Sequence, residues 1–84
     1  MNFEIERNRI LMKNETEKIV AEITFPETSQ GVFVIDHTSV DESLRGQGIA
    51  PKLVQAAVEE IKKHGGQVKA TCSYAKKWLN EHEI

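Results

Sequence analysis

From Asn2 to Met12 the chain reads "NFEIERNRILM", a loose alternation with Phe3 and Ile5 on one side and Glu4 and Glu6 on the other. That is the period of a half-buried strand. "KNETEK" is polar and carries Asn14, a turn residue, and "IVAEITF" predicts a second strand over 19–25, closed by Pro26. "PETSQG" reads as the next turn, followed by "VFVIDHTSV" over 32–40. Its first four residues are all apolar, the mark of a strand buried on both faces and therefore central. Short turns between these strands suit an antiparallel meander.

The period then changes. Ala50, Leu53, Val54, Ala57, Val58 and Ile61 recur every three or four residues and form one helical stripe. Pro51 falls in the first turn, where its missing N–H costs nothing, and Lys62, Lys63 and His64 fall in the last turn, before Gly65-Gly66 stops the helix. "QVKATC" predicts a short strand parallel to the central one, which completes a βαβ unit. Ser73 is placed to cap a last helix with Tyr74, Ala75, Trp78 and Leu79 on its inner side. The expected class is α+β, in the order β-β-β-β-α-β-α. A mostly antiparallel sheet with one parallel βαβ unit forms a single layer under the helices.

Between the central strand and the long helix lies "LRGQGIAP", Leu44 to Pro51. A helix N-terminus offers unpaired N–H groups and a partial positive charge, an anion site if side chains stand clear. Gly46, Gly48 and Ala50 clear it, and Arg45, Gly48 and Ala50 fit the pattern R-x-x-G-x-A. No Gly-Lys-Ser/Thr follows, so it is not a Walker loop, and Pro51 stands where a G-x-G-x-x-G fingerprint has its third glycine. A plain tight turn is the alternative.

Composition narrows the choice. At 84 residues the chain is expected to be one domain, 1–84. The net charge of -2 argues against a domain that holds nucleic acid through its phosphates. No apolar run approaches the ~20 residues of a membrane span, and the charged opening is unlike a signal peptide. The expectation is a cytoplasmic protein, with neither membrane nor nucleic acid as a partner. One cysteine, Cys72, and three scattered histidines offer no disulfide and no metal cluster, so no metal is expected.

"VDESLRGQGIAPKLV" resembles the acetyl-coenzyme A loop of the GNAT N-acetyltransferase superfamily, and the order of elements resembles its core. "DHTSV", the loop and "CSYAKKWL" together resemble the small YjdJ-like group of single-domain GNAT proteins, although Ala70 stands where that group usually has Pro. The resemblance runs from about Ile19 to Leu79. It implies transfer of an acetyl group from acetyl-CoA to a primary amine on a small molecule or a protein lysine. Backbone N–H groups of Arg45, Gly46, Gln47, Gly48, Ile49 and Ala50 would hold the pyrophosphate. The backbone of Thr38, Ser39 and Val40 would pair with the pantetheine arm. Arg45 would steer phosphate, Lys52 would reach the adenosine 3′-phosphate or stay solvated, and Ser73 and Tyr74 would complete the coenzyme site.

Two residues are candidates for the chemistry. Cys72 ends a strand directly before a helix, where the dipole, Lys76 and Lys77 favour a thiolate. It would act as a base, as an acyl acceptor, or only as a small buried residue. His37 sits on the central strand, and alternation places it with Phe33, Ile35 and Ser39. An imidazole suits proton exchange, and a structural histidine is the other reading. Tyr74 is a proton donor or a wall. Many GNAT proteins have an Asn and, further on, an acidic Tyr where this chain has Cys72 and Leu79. Two other functions stay open: a coenzyme A-binding module without turnover, and an interaction protein whose glycines only turn the chain. A monomer or a weak homodimer is expected.

Overall fold

A computed structural model describes residues 3–82. The strand expected over 2–12 is a hairpin, β1 (Phe3–Glu6) and β2 (Arg9–Lys13), paired antiparallel with Phe3 opposite Met12. Asn2, at the start of that expected strand, lies outside the described residues. The turn between β1 and β2 places Asn8 at φ 63°, a conformation Asn tolerates better than most residues. The pairing sets Ile10 and Met12 on the face of Phe3 and Ile5, so the inward positions shift by one residue across the turn.

The next turn forms around Asn14, whose Oδ1 accepts from Thr16 N–H at 2.9 Å and Lys18 N–H at 3.0 Å. It leads into β3 (Ile19–Thr24). "PETSQG" is more than a turn, because Glu27–Ser29 forms strand β4. The nine residues expected as one central strand divide into β5 (Val32–Ile35) and β6 (His37–Val40). They enter different sheets. One is four-stranded in the order β1-β2-β3-β6, and the other is three-stranded in the order β4-β5-β7, where β7 is Gln67–Ala70. The expected single layer is therefore two sheets splayed from a common seam.

The register locates the seam. Glu27 faces Phe33 and Thr24 faces His37. Three steps separate 24 from 27, but four separate 33 from 37, so one residue is extra. That residue is Asp36, whose N–H reaches the Thr24 carbonyl at 3.2 Å. Such a bulge reverses the side-chain alternation beyond it. Ile35 is buried before the seam. After it, Thr38 and Val40 turn inward while His37 and Ser39 are exposed. His37 therefore does not share a face with Phe33 and Ile35, as plain alternation predicts.

The long helix α1 spans Ile49–Lys63 and buries Leu53, Val54, Ala57, Val58 and Ile61, the expected stripe apart from a half-buried Ala50. It lies on the apolar face of the four-stranded sheet against Ile10, Met12, Ala21 and Ile23. Truncating Leu53, fully buried there, to alanine would cost about 2–5 kcal/mol. At its C-terminus Gly65 N–H bonds Lys62 O at 2.9 Å and Gly66 N–H bonds Ile61 O at 2.9 Å, the Schellman pairing, with Gly65 at φ 74°. The chain then enters β7, which runs parallel to β5 with Ile35 beside Ala70. This is the expected βαβ unit.

The last helix, α2 (Ser73–Glu81), packs Ala75, Trp78 and Leu79 into the same core. Cys72 occupies its N-cap position and Ser73 is the first helical residue, one place later than expected; the cap lacks a side-chain hydrogen bond. His82 stacks on Trp78 with ring centroids 3.9 Å apart. Among the described residues, no helix is long and apolar enough to cross a membrane.

Gly66 shows how tightly β5 and α1 meet. A Cβ there would stand 2.7 Å from the Phe33 ring and 2.9 Å from Ile61 Cγ2. Gly66→Ala should destabilise the fold by about 1–3 kcal/mol through overpacking. Thermal unfolding checks this, and an unchanged midpoint would show that Phe33 moves aside freely.

Candidate functional site

The site begins where β6 loses its second neighbour. As the last strand of its sheet, β6 pairs with β3 on one side only. Asp41 N–H bonds Val20 O at 2.7 Å, and antiparallel pairing alternates from that rung. His37 and Ser39 thus direct their backbone groups toward β3, while Thr38 and Val40 direct theirs to the open edge. Across the gap β7 has already diverged. The Ile35 carbonyl accepts both Thr71 N–H at 3.0 Å and Cys72 N–H at 3.2 Å, and there the shared ladder ends.

The wide end of the gap meets the glycine loop. Asp41 caps a 3₁₀ turn, Glu42–Leu44, by accepting from Ser43 Oγ at 2.6 Å and Ser43 N at 3.1 Å. The Ser43 hydroxyl, then the Ser43 N–H, then the charge of Lys18 hold the Asp41 carboxyl below its ordinary range. Leu44 is buried and anchors the turn. Beyond it Gly46 and Gly48 adopt φ 83° and 69°, conformations that favour glycine, and a Cβ on either would meet nothing within 4 Å. Gly48 is the N-cap of α1, with no side-chain cap and no acidic residue in the first turn. Among the described residues the N–H groups of Gly46 and Gly48 have no hydrogen-bond partner. Those of Ile49 and Ala50 fall in the first turn, where an α-helix has no internal acceptor.

Edge and loop enclose a cleft of about 460 Å³. Thr38 and Val40 form one wall, the loop and Ile49–Pro51 a second, and Tyr74 of α2 a third. Of the expected site residues, the lining includes Thr38, Val40, Arg45, Gly46, Gly48, Ile49, Ala50 and Tyr74. Ser39, Gln47, Lys52 and Ser73 stand outside it, as do both candidates for the chemistry. A more enclosed hollow of about 260 Å³ lies at the far end of α1, around Phe25, Phe33 and His64. It holds none of the free loop N–H groups.

At the narrow end Cys72 Sγ lies 3.9 Å from Thr38 Oγ1, and Cys72 is half-buried. The residue of β6 that meets Cys72 is Thr38. His37 emerges on the opposite, polar face, beside Thr24. That face carries the ion pairs of Arg9 with Glu22 and Glu6. Sequence pattern does not single out the Thr38 hydroxyl, because its placement depends on the bulge. The available signal is the abrupt change from "VFVI" to the polar pair Asp36-His37.

Comparison with known proteins assigns the fold. The family model described as GCN5-related N-acetyl-transferase matches residues 3–84. The chain belongs to the GCN5-related N-acetyltransferases. A protein of this family fold from Staphylococcus aureus, described as GCN5-like, is 30% identical over 98% of this chain and 80% of its own, with a TM-score of 0.79. An IAA acetyltransferase from Bacillus cereus superposes with a TM-score of 0.67 at 23% identity over 87% of this chain. A GNAT family N-acetyltransferase (YhbS) from Escherichia coli, solved in complex with CoA, gives 0.61 at 19% identity over 69% of this chain. The chain spans 51% of the Bacillus protein and 35% of the Escherichia protein, and these two likenesses concern the fold. No curated protein matches significantly.

Within this GCN5-related fold, Tyr74 has a distinct environment. Desolvation by burial, and then the charge of Glu81, push its phenol above the ordinary tyrosine value. The proton is retained more firmly in the folded state. The resulting stabilisation is present below the unfolded value and lost as pH rises through the folded one. Tyr74 is the sole tyrosine of the chain, so near-ultraviolet absorbance follows it directly. The native protein should titrate above about 10 and the urea-unfolded protein near it; coincident curves would contradict the assignment.

Proposed function

We propose that the chain acts as a single domain over residues 1–84 that binds acetyl-coenzyme A in this cleft and transfers the acetyl group to a primary amine. One observation carries the reading: the uncapped start of α1, behind two positive-φ glycines, opens into the same cleft as the unpaired edge of β6. The first suits a pyrophosphate, since helix N–H groups and dipole favour anions. The second suits the amide-bearing pantetheine arm, which completes the ladder at Thr38 and Val40 as an added strand would. The two lie in the order in which coenzyme A carries these groups. The Escherichia protein of the same fold was solved in complex with CoA, which supports coenzyme A as the ligand. Arg45, on the cleft wall, adds a full positive charge at the phosphate end, and Lys52, exposed on the first turn of α1 outside the cleft lining, is the cation assigned to the 3′-phosphate.

The acyl group then arrives at the narrow end, beside Thr38 and Cys72. Transfer needs a neutral amine, donors for the oxyanion and a proton for the departing thiolate. His37, open to the polar face, or Cys72 takes a proton from the acceptor ammonium, directly or through water. The nitrogen attacks the thioester carbonyl, and the Thr38 N–H, aimed at the open edge, faces the developing oxyanion. Collapse breaks the C–S bond and the nitrogen sheds its second proton, which the Tyr74 hydroxyl on the cleft wall relays to the coenzyme thiolate.

Calorimetric titration with acetyl-CoA tests the binding site. Saturable binding is expected, weakened at least tenfold by Gly48→Val, because a branched side chain at φ 69° both strains the loop by about 1–2 kcal/mol and hinders approach to the N–H groups. Thioester consumption across lysine peptides, polyamines and amino acids tests turnover. Tyr74→Phe should lower it about 10²-fold while coenzyme affinity holds, and so should whichever of His37→Ala and Cys72→Ala removes the base. Binding without turnover on any amine would leave a coenzyme-holding module instead, and no binding at millimolar ligand would refute the proposal.

A further inference from the structure

The two sheets part at Asp36, and that residue is tied twice to the same partner. Its N–H reaches the Thr24 carbonyl at 3.2 Å, and its Oδ1 accepts from the Thr24 hydroxyl at 2.5 Å. Thr24 is the last residue of β3 and lies opposite His37 at the start of β6. On the other side Ile35, the residue before Asp36, is the last rung shared with β7, and its carbonyl takes two N–H groups at once. The chain at Asp36 thus has two possible ladders. It follows β3, which opens the gap, or it continues beside β7, which closes the gap over Thr38. The carbonyl bond alone is one rung. The side-chain bond adds a second tie, which only an acceptor at position 36 and a hydroxyl at position 24 provide.

We propose that Thr24 and Asp36 form a positioning pair that holds the pantetheine channel open. The pair touches no ligand. It fixes β6 to β3 at the narrow end and thereby turns the backbone groups of Thr38 and Val40 toward the coenzyme arm. The carboxylate serves as an acceptor in this role, so its charge is dispensable. The inference rests on the coenzyme reading above. It adds that the two ends of the coenzyme are governed separately: the phosphates by the loop at the start of α1, the arm by a threonine and an aspartate outside the cleft.

The test uses two probes, coenzyme A and adenosine 3′-phosphate 5′-diphosphate, which is the same molecule without its pantetheine arm. The wild-type protein should bind both, coenzyme A more tightly. Thr24→Val and Asp36→Ala should each reduce affinity for coenzyme A about tenfold, as expected when a ligand-binding strand loses its positioning. The truncated probe should bind as before. Asp36→Asn and Thr24→Ser, which keep the acceptor and the hydroxyl, should restore coenzyme A binding to within about twofold of wild type. The double variant Thr24→Val/Asp36→Ala should be no worse than either single one, since both remove the same bond.

Equal losses for both probes would mean general destabilisation, and unchanged affinity for coenzyme A in Thr24→Val would mean that the bond does not set the channel; either overturns the inference. So does failure of Asp36→Asn while Thr24→Val binds normally, which would give Asp36 a role for its charge. A wild-type protein that binds neither probe overturns the coenzyme reading and this inference with it. A wild type that binds both, with indifferent variants, overturns this inference alone.

Discussion

The carbonyl of Ile35 can be shared, but the strand that follows it cannot. Thr71 and Cys72 both donate to that one oxygen, and Thr24 holds the next residue from the other side. A strand can pair on two edges only while its neighbours stay alongside. Here β7 lies beside β5 as far as Ala70, and β3 lies beside β6 from His37 onward. One extra residue satisfies both. It costs the molecule a continuous sheet and leaves the edge of β6 with unpaired groups. An unpaired edge inside a small domain is a liability unless something is meant to occupy it.

The rest of the architecture frames that edge. The five buried residues of α1 dock the helix on the four-stranded sheet, which sets its start at the wide end of the gap. Leu44 and the Asp41 cap hold the preceding turn, and the glycines then approach the helix without side chains. Tyr74 closes the far wall because Ala75, Trp78 and Leu79 fasten α2 to the same core. The cleft is thus assembled from three chain segments: the edge of β6, the loop with the start of α1, and the first turn of α2. Each contributes little chemistry alone, and together they present donors along a line that suits an extended ligand with an anionic end.

Much of this architecture is legible in the amino-acid sequence. The stripe on α1, the glycine stop after it, the parallel return of β7 and the glycine loop at the helix start all follow from local pattern, because each depends on residues close in sequence. The loop from Arg45 to Ala50 stands out for the same reason. Sequence pattern fails where two segments distant in the chain decide the outcome. The hairpin at Arg7-Asn8 is hidden because its two-residue turn contains neither glycine nor proline, although the inward positions do shift there from Phe3 and Ile5 to Ile10 and Met12. Glu27–Ser29 reads as turn chemistry and becomes a strand only because β5 lies beside it. The bulge at Asp36 depends on the register of β3, so alternation puts His37 on the wrong face and draws attention to the backbone of Thr38 and not to its hydroxyl. Cys72 stands two residues beyond the end of β7 at Ala70 and not on the strand, and the N-cap passes to it from Ser73 by a shift of a single residue.

In the proposed function, one continuous cleft, from the loop to the narrow end, receives coenzyme A through backbone N–H groups. Amide chemical-shift mapping on isotope-labelled protein reads this directly as coenzyme A is added. The largest changes should fall at Gly46, Gly48, Ile49 and Ala50 and extend along Thr38 and Val40, with the polar face around Arg9 and Glu22 nearly unmoved. Changes centred on the hollow at Phe25, Phe33 and His64, or changes at the loop that never reach Thr38, would contradict it.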